Sequence, residues 1–140
     1  MKKRISQLAV ILFLSTGLGG CQIGVSVTVS GSASAPVFQI QEDGFEATSP
    51  PVFGDFSIIT KRSGKWVEVW GITKSNQCSK ATSQLVYGKL PAQFELLVGP
   101  EPLKEGEKYE ADVSGCGRTG SVFFKIEHGK LVPLSRDGFN

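Results

Sequence analysis

The chain has 140 residues, with 15 Lys and Arg, 13 Asp and Glu and one His, a length that suits one domain with a real core. Three basic residues stand in Met1-Lys2-Lys3-Arg4, so the chain without residues 1–20 has a formal charge of 12 − 13, or about −1. This balance argues against nucleic acid as a partner, because nucleic acid needs a basic face.

The first residues follow the pattern of an export signal. A basic start precedes the apolar run Leu8 to Leu14, which is too short to cross about 30 Å of hydrocarbon. A basic start, a short apolar run and small residues are typical of a secretory signal peptide. The small residues lead directly into a cysteine, in Leu18-Gly19-Gly20-Cys21.

These four residues resemble the lipobox of bacterial lipoproteins. The resemblance implies a diacylglycerol thioether on Cys21, cleavage of residues 1–20, and acylation of the new amino terminus. Gln22 lies where enterobacterial lipoproteins carry a sorting residue, and it implies export to the outer membrane, with the domain facing the periplasm. A plain signal peptide with a chance cysteine is the alternative. Several acyl chains would give stable anchoring where one does not.

The segment after Cys21 has the composition of a spacer. Val25, Val27 and Val29 alternate with small polar residues, and residues 31–36 read Gly-Ser-Ala-Ser-Ala-Pro. We expect a flexible lipidated tether over residues 21–36, with an edge strand as the alternative for the valine segment. A single β domain is then expected over residues 37–140.

Short β-rich runs separated by turn residues fill the rest of the chain. Two hairpins are the clearest features, one with a turn at Ser63-Gly64 and one with a turn at His128-Gly129. Their strands are predicted at 55–62 with 65–73, and at 121–127 with 130–134. Further strands are predicted at 37–40, 84–87, 93–98 and 109–113.

Seven or eight short strands, and no helical pattern longer than about two turns, predict an all-β fold. We expect an antiparallel β-sandwich of the Ig-like or Greek-key type, with a small β-barrel as the alternative. The predicted core faces of the two hairpins carry Phe56, Ile58, Val67 and Val69, and Val122, Phe124, Ile126, Leu131 and Pro133.

Two cysteines remain after Cys21. In an oxidising periplasm, Cys78 and Cys116 are expected to form a disulfide. The alternative is a reactive thiol at Cys116, which would need a neighbouring base. The only histidine, His128, is assigned to the turn.

No pattern in the sequence predicts catalysis, a metal or a cofactor. One His and two paired cysteines cannot supply a four-ligand zinc site. The sequence also lacks a phosphate-binding loop and a nucleophile elbow. Carboxylates are frequent between Glu101 and Asp112, but Lys104 and Lys108 interrupt them, so we interpret the segment as a solvated loop rather than a glycosidase pair.

The first hairpin carries the candidate binding residues. The two-residue turn places Lys61 opposite Trp66, Ile59 opposite Glu68 and Ser57 opposite Trp70. Trp66, Glu68 and Trp70 then share one face with Lys61. Three interpretations stay open for this face: a second core layer, an exposed strip that binds a protein, and a platform for sugars.

These observations favour a non-enzymatic protein-interaction module of the cell envelope. The partners expected are the membrane, through lipid on Cys21, and another envelope protein. One alternative is an inhibitor or immunity protein against a toxin or a lysozyme-like enzyme, whose basic cleft the acidic loop 101–112 would suit. A glycan-binding module is a further alternative, and the oligomeric state is open.

Overall fold

The structure is a computed structural model that describes residues 23–45 and 47–140. The predicted signal peptide, the lipobox and the lipidation site Cys21 lie outside the described residues. One four-residue helix is present in the described part of the chain, and no helix there is long and apolar enough to cross a membrane.

Strands are the main regular structure of the described residues, beside one four-residue helix, which confirms the all-β class. The elements are β1 Ile23–Ser32, β2 Ala35–Glu42, β3 Asp55–Arg62, β4 Lys65–Thr73, β5 Gln84–Val86, β6 Glu95–Val98, β7 Lys108–Gly115, β8 Arg118–Glu127, β9 Lys130–Leu134 and α1 Arg136–Phe139. They form one sheet in the order β5-β2-β1-β8-β7-β3-β4-β6, with β9 paired to β8.

The sheet is mixed and curls into a half-barrel. All its strand pairs are antiparallel except β1 with β8, which run parallel. The architecture is therefore nearer to the barrel alternative than to two separate antiparallel sheets. Curling explains the single core: Phe38 of β2 lies 5.1 Å from Phe56 of β3, although three strands separate them in the sheet. Trp70 of β4 likewise lies 5.2 Å from Tyr87, just after β5.

The expected tether over residues 21–36 is wrong for its described part. β1 begins at Ile23 and forms a long hairpin with β2, from Val25 opposite Glu42 to Ser32 opposite Ala35. Val25 and Val27 are buried in the core, which is why the alternating valines form a strand. The small residues that suggested a linker instead form the end of β1, a hairpin turn and the start of β2. β1 is also an internal strand rather than an edge.

The first hairpin has the predicted bounds and turn. Ser63 and Gly64 both adopt positive φ, 51° and 75°, as a two-residue turn of type I′ requires. Its predicted register holds as far as Ile59 opposite Glu68 and then fails. Trp70 lies opposite Ile58, so Val69 is an extra residue in β4.

This β-bulge interrupts the alternation of side chains along β4. Val69 and Trp70 are consecutive, yet both are fully buried. The predicted pair of Ser57 with Trp70 is therefore corrected, because Ser57 lies opposite Gly71. The second hairpin is confirmed, with its turn at His128-Gly129, both at positive φ, and Glu127 opposite Lys130.

The half-barrel has two distinct ends. At one end, which we call the N-terminal end, Ile23 of β1 lies opposite Arg118, beside the turn that joins β7 to β8. The disulfide between Cys78 and Cys116 lies at this end, which confirms the predicted bridge. At the other end, the turn end, lie the hairpin turns 63–64 and 128–129 and the loop 103–107.

A buried ion pair holds the loop that follows β2. The Glu42 side chain is completely buried and accepts hydrogen bonds from Arg118 Nε at 2.9 Å, from Val52 N at 3.0 Å, and from Thr48 N at 2.6 Å and Thr48 Oγ1 at 2.9 Å. Although burial opposes ionisation, the bonds from Thr48, Val52 and Arg118 lower the pKa of Glu42 to about 2. Glu42 therefore joins β2, the loop and β8 as a carboxylate.

Candidate functional site

Trp66 is the only residue of the predicted aromatic pair that lies on the surface. It stands near the start of β4, opposite Lys61, and 54% of it is exposed. Its ring stacks on Phe139, with ring centroids 5.7 Å apart and an interplanar angle of 16°. Lys61 Nζ lies 5.6 Å from the ring centroid on the same hairpin. Trp66 is thus half exposed and held in place from two sides.

The C-terminal segment folds over the outer face of the sheet to make this contact. Ser135 caps α1, and its hydroxyl accepts a hydrogen bond from Gly138 N at 3.2 Å. Phe139 then reaches Phe123 of β8, with centroids 5.0 Å apart, as well as Trp66. Lys108 Nζ donates to Gly138 O at 2.7 Å and fixes the segment to β7.

Two adjoining depressions flank these rings. The larger has a volume of about 280 Å³ and lies between Trp66, Phe139, Lys61 and Lys108. The smaller, of about 180 Å³, lies on the side of Phe123 and Arg136. We call this region, defined by Trp66, Phe123 and Phe139 with the two depressions, the aromatic cleft. It lies toward the turn end of the outer face, because Trp66 follows the turn 63–64 within two residues.

Basic side chains border the cleft. Lys108 and Lys125 occupy directly opposite positions on β7 and β8, and Lys61 lies opposite Trp66. Like charges in directly opposite positions destabilise a sheet unless other charges compensate them. Lys125 pairs with Glu127 at 2.9 Å, whereas Lys61 and Lys108 form no salt bridge with any described carboxylate. Glu107 also lines the larger depression but is engaged by Arg62, so an anionic group there would meet two lysines that lack a described carboxylate partner.

Carboxyl groups lie on the same face, farther along β7 from the turn end than Lys108. Asp112 and Glu110 project from β7 at alternate positions, and the smaller depression includes Glu110. Burial and the neighbouring Glu110 raise the pKa of Asp112 to about 7, against the opposing charge of Arg136. Since two neighbouring carboxyl groups resist simultaneous ionisation, Asp112 carries a proton over part of the neutral pH range.

Trp70 does not take part in this surface. It is fully buried on the concave side, 5.6 Å from Phe56 and 5.2 Å from Tyr87. Its indole Nε1 has no hydrogen-bond partner in the described part of the chain. The predicted strip of Trp66 and Trp70 is therefore not formed, because the bulge turns Trp70 into the same core as Phe56. The second-core-layer interpretation holds for neither residue.

Glu68 stays on the outer face, opposite Ile59. Burial raises its pKa. Its carboxylate lies over Gly71, where an added Cβ would come within 2.2 Å of Glu68 Oε1. A side chain at position 71 would therefore displace the Glu68 carboxylate. Of the predicted strip, Lys61 and Trp66 lie together at the cleft, and Glu68 lies farther along β4.

The carboxylates of the predicted acidic loop are largely engaged within the domain. Glu101 and Glu107 bind the Arg62 guanidinium at 2.9 and 3.0 Å. These bonds raise the pKa of Arg62 and lower that of Glu107. Glu105 accepts hydrogen bonds from the backbone N–H groups of His128 and Gly129. Through these bonds the loop joins the end of β3 to the turn 128–129, and its carboxylates do not form a free acidic surface.

Lys74 is a second buried charge, at the N-terminal end. Its ammonium donates to Ser79 Oγ at 3.0 Å and to the Ser79 carbonyl, and lies 5.7 Å from the Phe94 ring centroid. Burial lowers the pKa of Lys74. These contacts hold the Cys78 loop against the core, which gives Lys74 a structural role.

Phe123 and Phe139 were not predicted as site residues. The residues that alternate with the predicted core face of the second hairpin include Phe123 and Leu134 beside Lys125. A face this apolar is unusual for one that meets only solvent, and it was the available signal for Phe123. Phe139 had no such signal, because only the fold brings residues 136–139 onto β8 and β4.

Within residues 23–45 and 47–140, no group of three or more His, Cys, Asp or Glu side chains is placed to hold a metal ion. In comparisons with known proteins, no family model, no curated protein and no solved structure matches this chain.

Proposed function

We propose that this chain is a lipoprotein, anchored in the outer membrane through Cys21, that binds another protein of the cell envelope at the aromatic cleft and catalyses no reaction. The observation that carries the proposal is the half-exposed Trp66, held in place by Phe139 beside a depression bordered by Lys61 and Lys108. The anchor rests on the lipobox resemblance of Leu18-Gly19-Gly20-Cys21.

The chemistry of the cleft supports a protein partner. Trp and Arg are enriched among the residues that dominate binding energy at protein interfaces, and the cleft combines Trp66 with Arg136, which lies 5.5 Å from the Phe123 ring. A fixed aromatic side chain also loses little conformational entropy on binding. Uncompensated lysines at the rim would steer a partner that carries carboxylates.

The two alternative functions receive less support. Phe139 already stacks on the ring of Trp66, so a sugar would compete with Phe139 for that face. An inhibitor that used loop 101–112 against a basic cleft would have to release Glu101 and Glu107 from Arg62.

The proposal is testable by photo-crosslinking in cells. A photoreactive amino acid in place of Asn140, which is exposed and lines both depressions of the cleft, should form a discrete adduct with an envelope protein. Trp66→Ala should abolish the adduct without changing the amount of protein. The matched control carries the photoreactive residue at Gln84, an exposed position on β5, and should not form the same adduct.

Three results would count against protein binding at the cleft. These are the same adduct from positions 140 and 84, an adduct that survives Trp66→Ala, and no adduct from position 140. Co-sedimentation with peptidoglycan that Trp66→Ala abolishes would favour the glycan-binding alternative. The anchor has a separate test: Cys21→Ser should move the protein from the membrane to the soluble fraction, and unchanged fractionation would contradict lipidation.

A further inference from the structure

The start of β1 leaves almost no spacer after the lipidation site. Ile23 N donates a hydrogen bond to Gly117 O at 2.9 Å, so the sheet already holds the chain at residue 23. Two Cα steps of 3.8 Å separate residues 21 and 23, which gives a reach of at most about 8 Å. If Cys21 carries lipid, as the proposed function requires, the N-terminal end of the half-barrel lies at the headgroups.

A fully exposed aromatic side chain lies at this same end. The loop after β2 is attached beside the start of β1, because Asp43 N donates to Gly24 O at 3.0 Å and Ser26 Oγ donates to Asp43 Oδ1 at 2.9 Å. Gly44 follows with a φ of 99°, and the next residue, Phe45, is the most exposed of the large apolar side chains described. The domain itself therefore offers Phe45 no cover.

The base of this loop is suited to a position near lipid. Glu42 and Arg118 neutralise each other inside the domain, and the exposed carboxylate of Asp43 accepts a hydrogen bond from Ser26 Oγ, so the charged base of the loop can stay among the polar headgroups. An apolar ring on a short loop, held a few ångströms from an acyl anchor, lies within reach of the boundary between headgroups and acyl chains. A lipid surface is the occupant that this geometry favours, since the acyl anchor places it there.

We propose that Phe45 inserts into the bilayer surface as a second contact and thereby docks the N-terminal end of the domain on the membrane. This inference rests on the proposed lipidation of Cys21. It sets the direction in which the aromatic cleft faces. Along β8, Lys125 lies seven residues beyond Arg118, or about 23 Å at 3.3 Å per residue. The lysines at the cleft are thus held on the side of the domain away from the lipid.

Depth-dependent fluorescence quenching tests the proposal. The full chain is produced in cells, purified from membranes in lipidated form, and reconstituted into vesicles of phosphatidylethanolamine and phosphatidylglycerol that contain lipids brominated near the headgroup. Phe45→Trp carries the probe, in a Trp66→Phe background that leaves only the buried Trp70. The matched control is Lys130→Trp in the same background, because Lys130 is exposed at the turn end.

We expect the brominated lipid to quench most of the emission from position 45 and little of that from position 130. Vesicle flotation, measured on the same samples, tests the lipid anchor on Cys21 separately from the insertion of Phe45. Protein that floats with the vesicles while position 45 stays unquenched would overturn the insertion of Phe45 and leave the anchor intact. Protein that fails to float would overturn both.

A long glycine–serine linker inserted between Gln22 and Ile23 provides a second measurement. It should preserve flotation but reduce the quenching at position 45, because the domain is then free to leave the surface. Undiminished quenching would contradict the role assigned to the short connection.

Discussion

Replacing Glu42 with Gln should destabilise the domain in a way that depends on pH. The substitution keeps the shape of the side chain and removes its charge. An amide has one acceptor oxygen and a donor NH₂ group, whereas the site presents only donors, from Arg118, Val52 and Thr48. At least one of these donors, and the charge of Arg118, would lose its partner inside the protein.

The magnitude follows from the pKa of Glu42, which lies at about 2 in the folded domain against an ordinary value of 4.5. A group with a lowered pKa in the folded state stabilises that state above its unfolded pKa, and the contribution disappears as the pH falls through the folded pKa. At 1.36 kcal/mol per unit, the ionised form of Glu42 contributes about 3 kcal/mol at pH 7, about 1 kcal/mol at pH 3 and less than about 0.5 kcal/mol at pH 2.

Urea unfolding of the wild type and of Glu42→Gln, followed by fluorescence of the buried Trp70, measures this difference. The gap between the two free energies of unfolding should be about 3 kcal/mol at pH 7 and should narrow between pH 4.5 and pH 2. Other carboxyl groups titrate in both proteins and cancel in the gap. A gap that stays constant down to pH 2, or equal stability at pH 7, would refute the reasoning.

Three further predictions concern the core, the disulfide and the carboxyl pair. Trp70→Ala should lower the free energy of unfolding by about 3–5 kcal/mol and Trp66→Ala by less than about 1 kcal/mol, measured by urea unfolding; equal losses would contradict their different burial. Replacing Cys78 and Cys116 by Ser should cost about 4 kcal/mol, because the bridge closes a loop with a sequence separation of 38, and unchanged stability would contradict this. Asp112→Asn should raise the free energy of unfolding at pH 8 but not at pH 4, because a pKa raised to about 7 means that ionising Asp112 at higher pH destabilises the folded state. A gain in stability at pH 4 and none at pH 8 would contradict the raised pKa.

Local sequence rules predicted the hairpins because their determinants are local. The pairs Ser63-Gly64 and His128-Gly129 have backbone angles that few other residue pairs adopt easily. The alternating runs on either side give the observed strand bounds, except that β8 begins at Arg118, three residues before its predicted start. The bulge at Val69 was not predictable in this way. It is favoured by the concave core, which buries both Val69 and Trp70, and a core formed by distant strands leaves no signal within residues 65–73.

The expected tether was wrong over β1 for a similar physical reason. A segment of Val, Ser, Gly and Ala is consistent with either a spacer or a strand, and the choice depends on whether a hydrophobic face is available to cover Val25 and Val27. The curled sheet supplies that face, through β2 and β8. The close approach of β8 also depends on Gly120, where any Cβ would come within 2.0 Å of Val25 O.

Placing β1 inside the sheet changes what the proposed anchor could do. A flexible spacer would let the domain rotate freely, and the cleft would have no fixed position relative to the membrane. If Cys21 carries the proposed lipid, a strand that begins two residues later joins that lipid to the rigid sheet, and the direction from membrane to cleft is then a property of the fold. Because the orientation of the domain is fixed before a partner binds, binding does not cost the entropy of fixing it. It follows that lengthening the connection between Gln22 and Ile23 should weaken crosslinking at position 140 even though the cleft itself is unchanged.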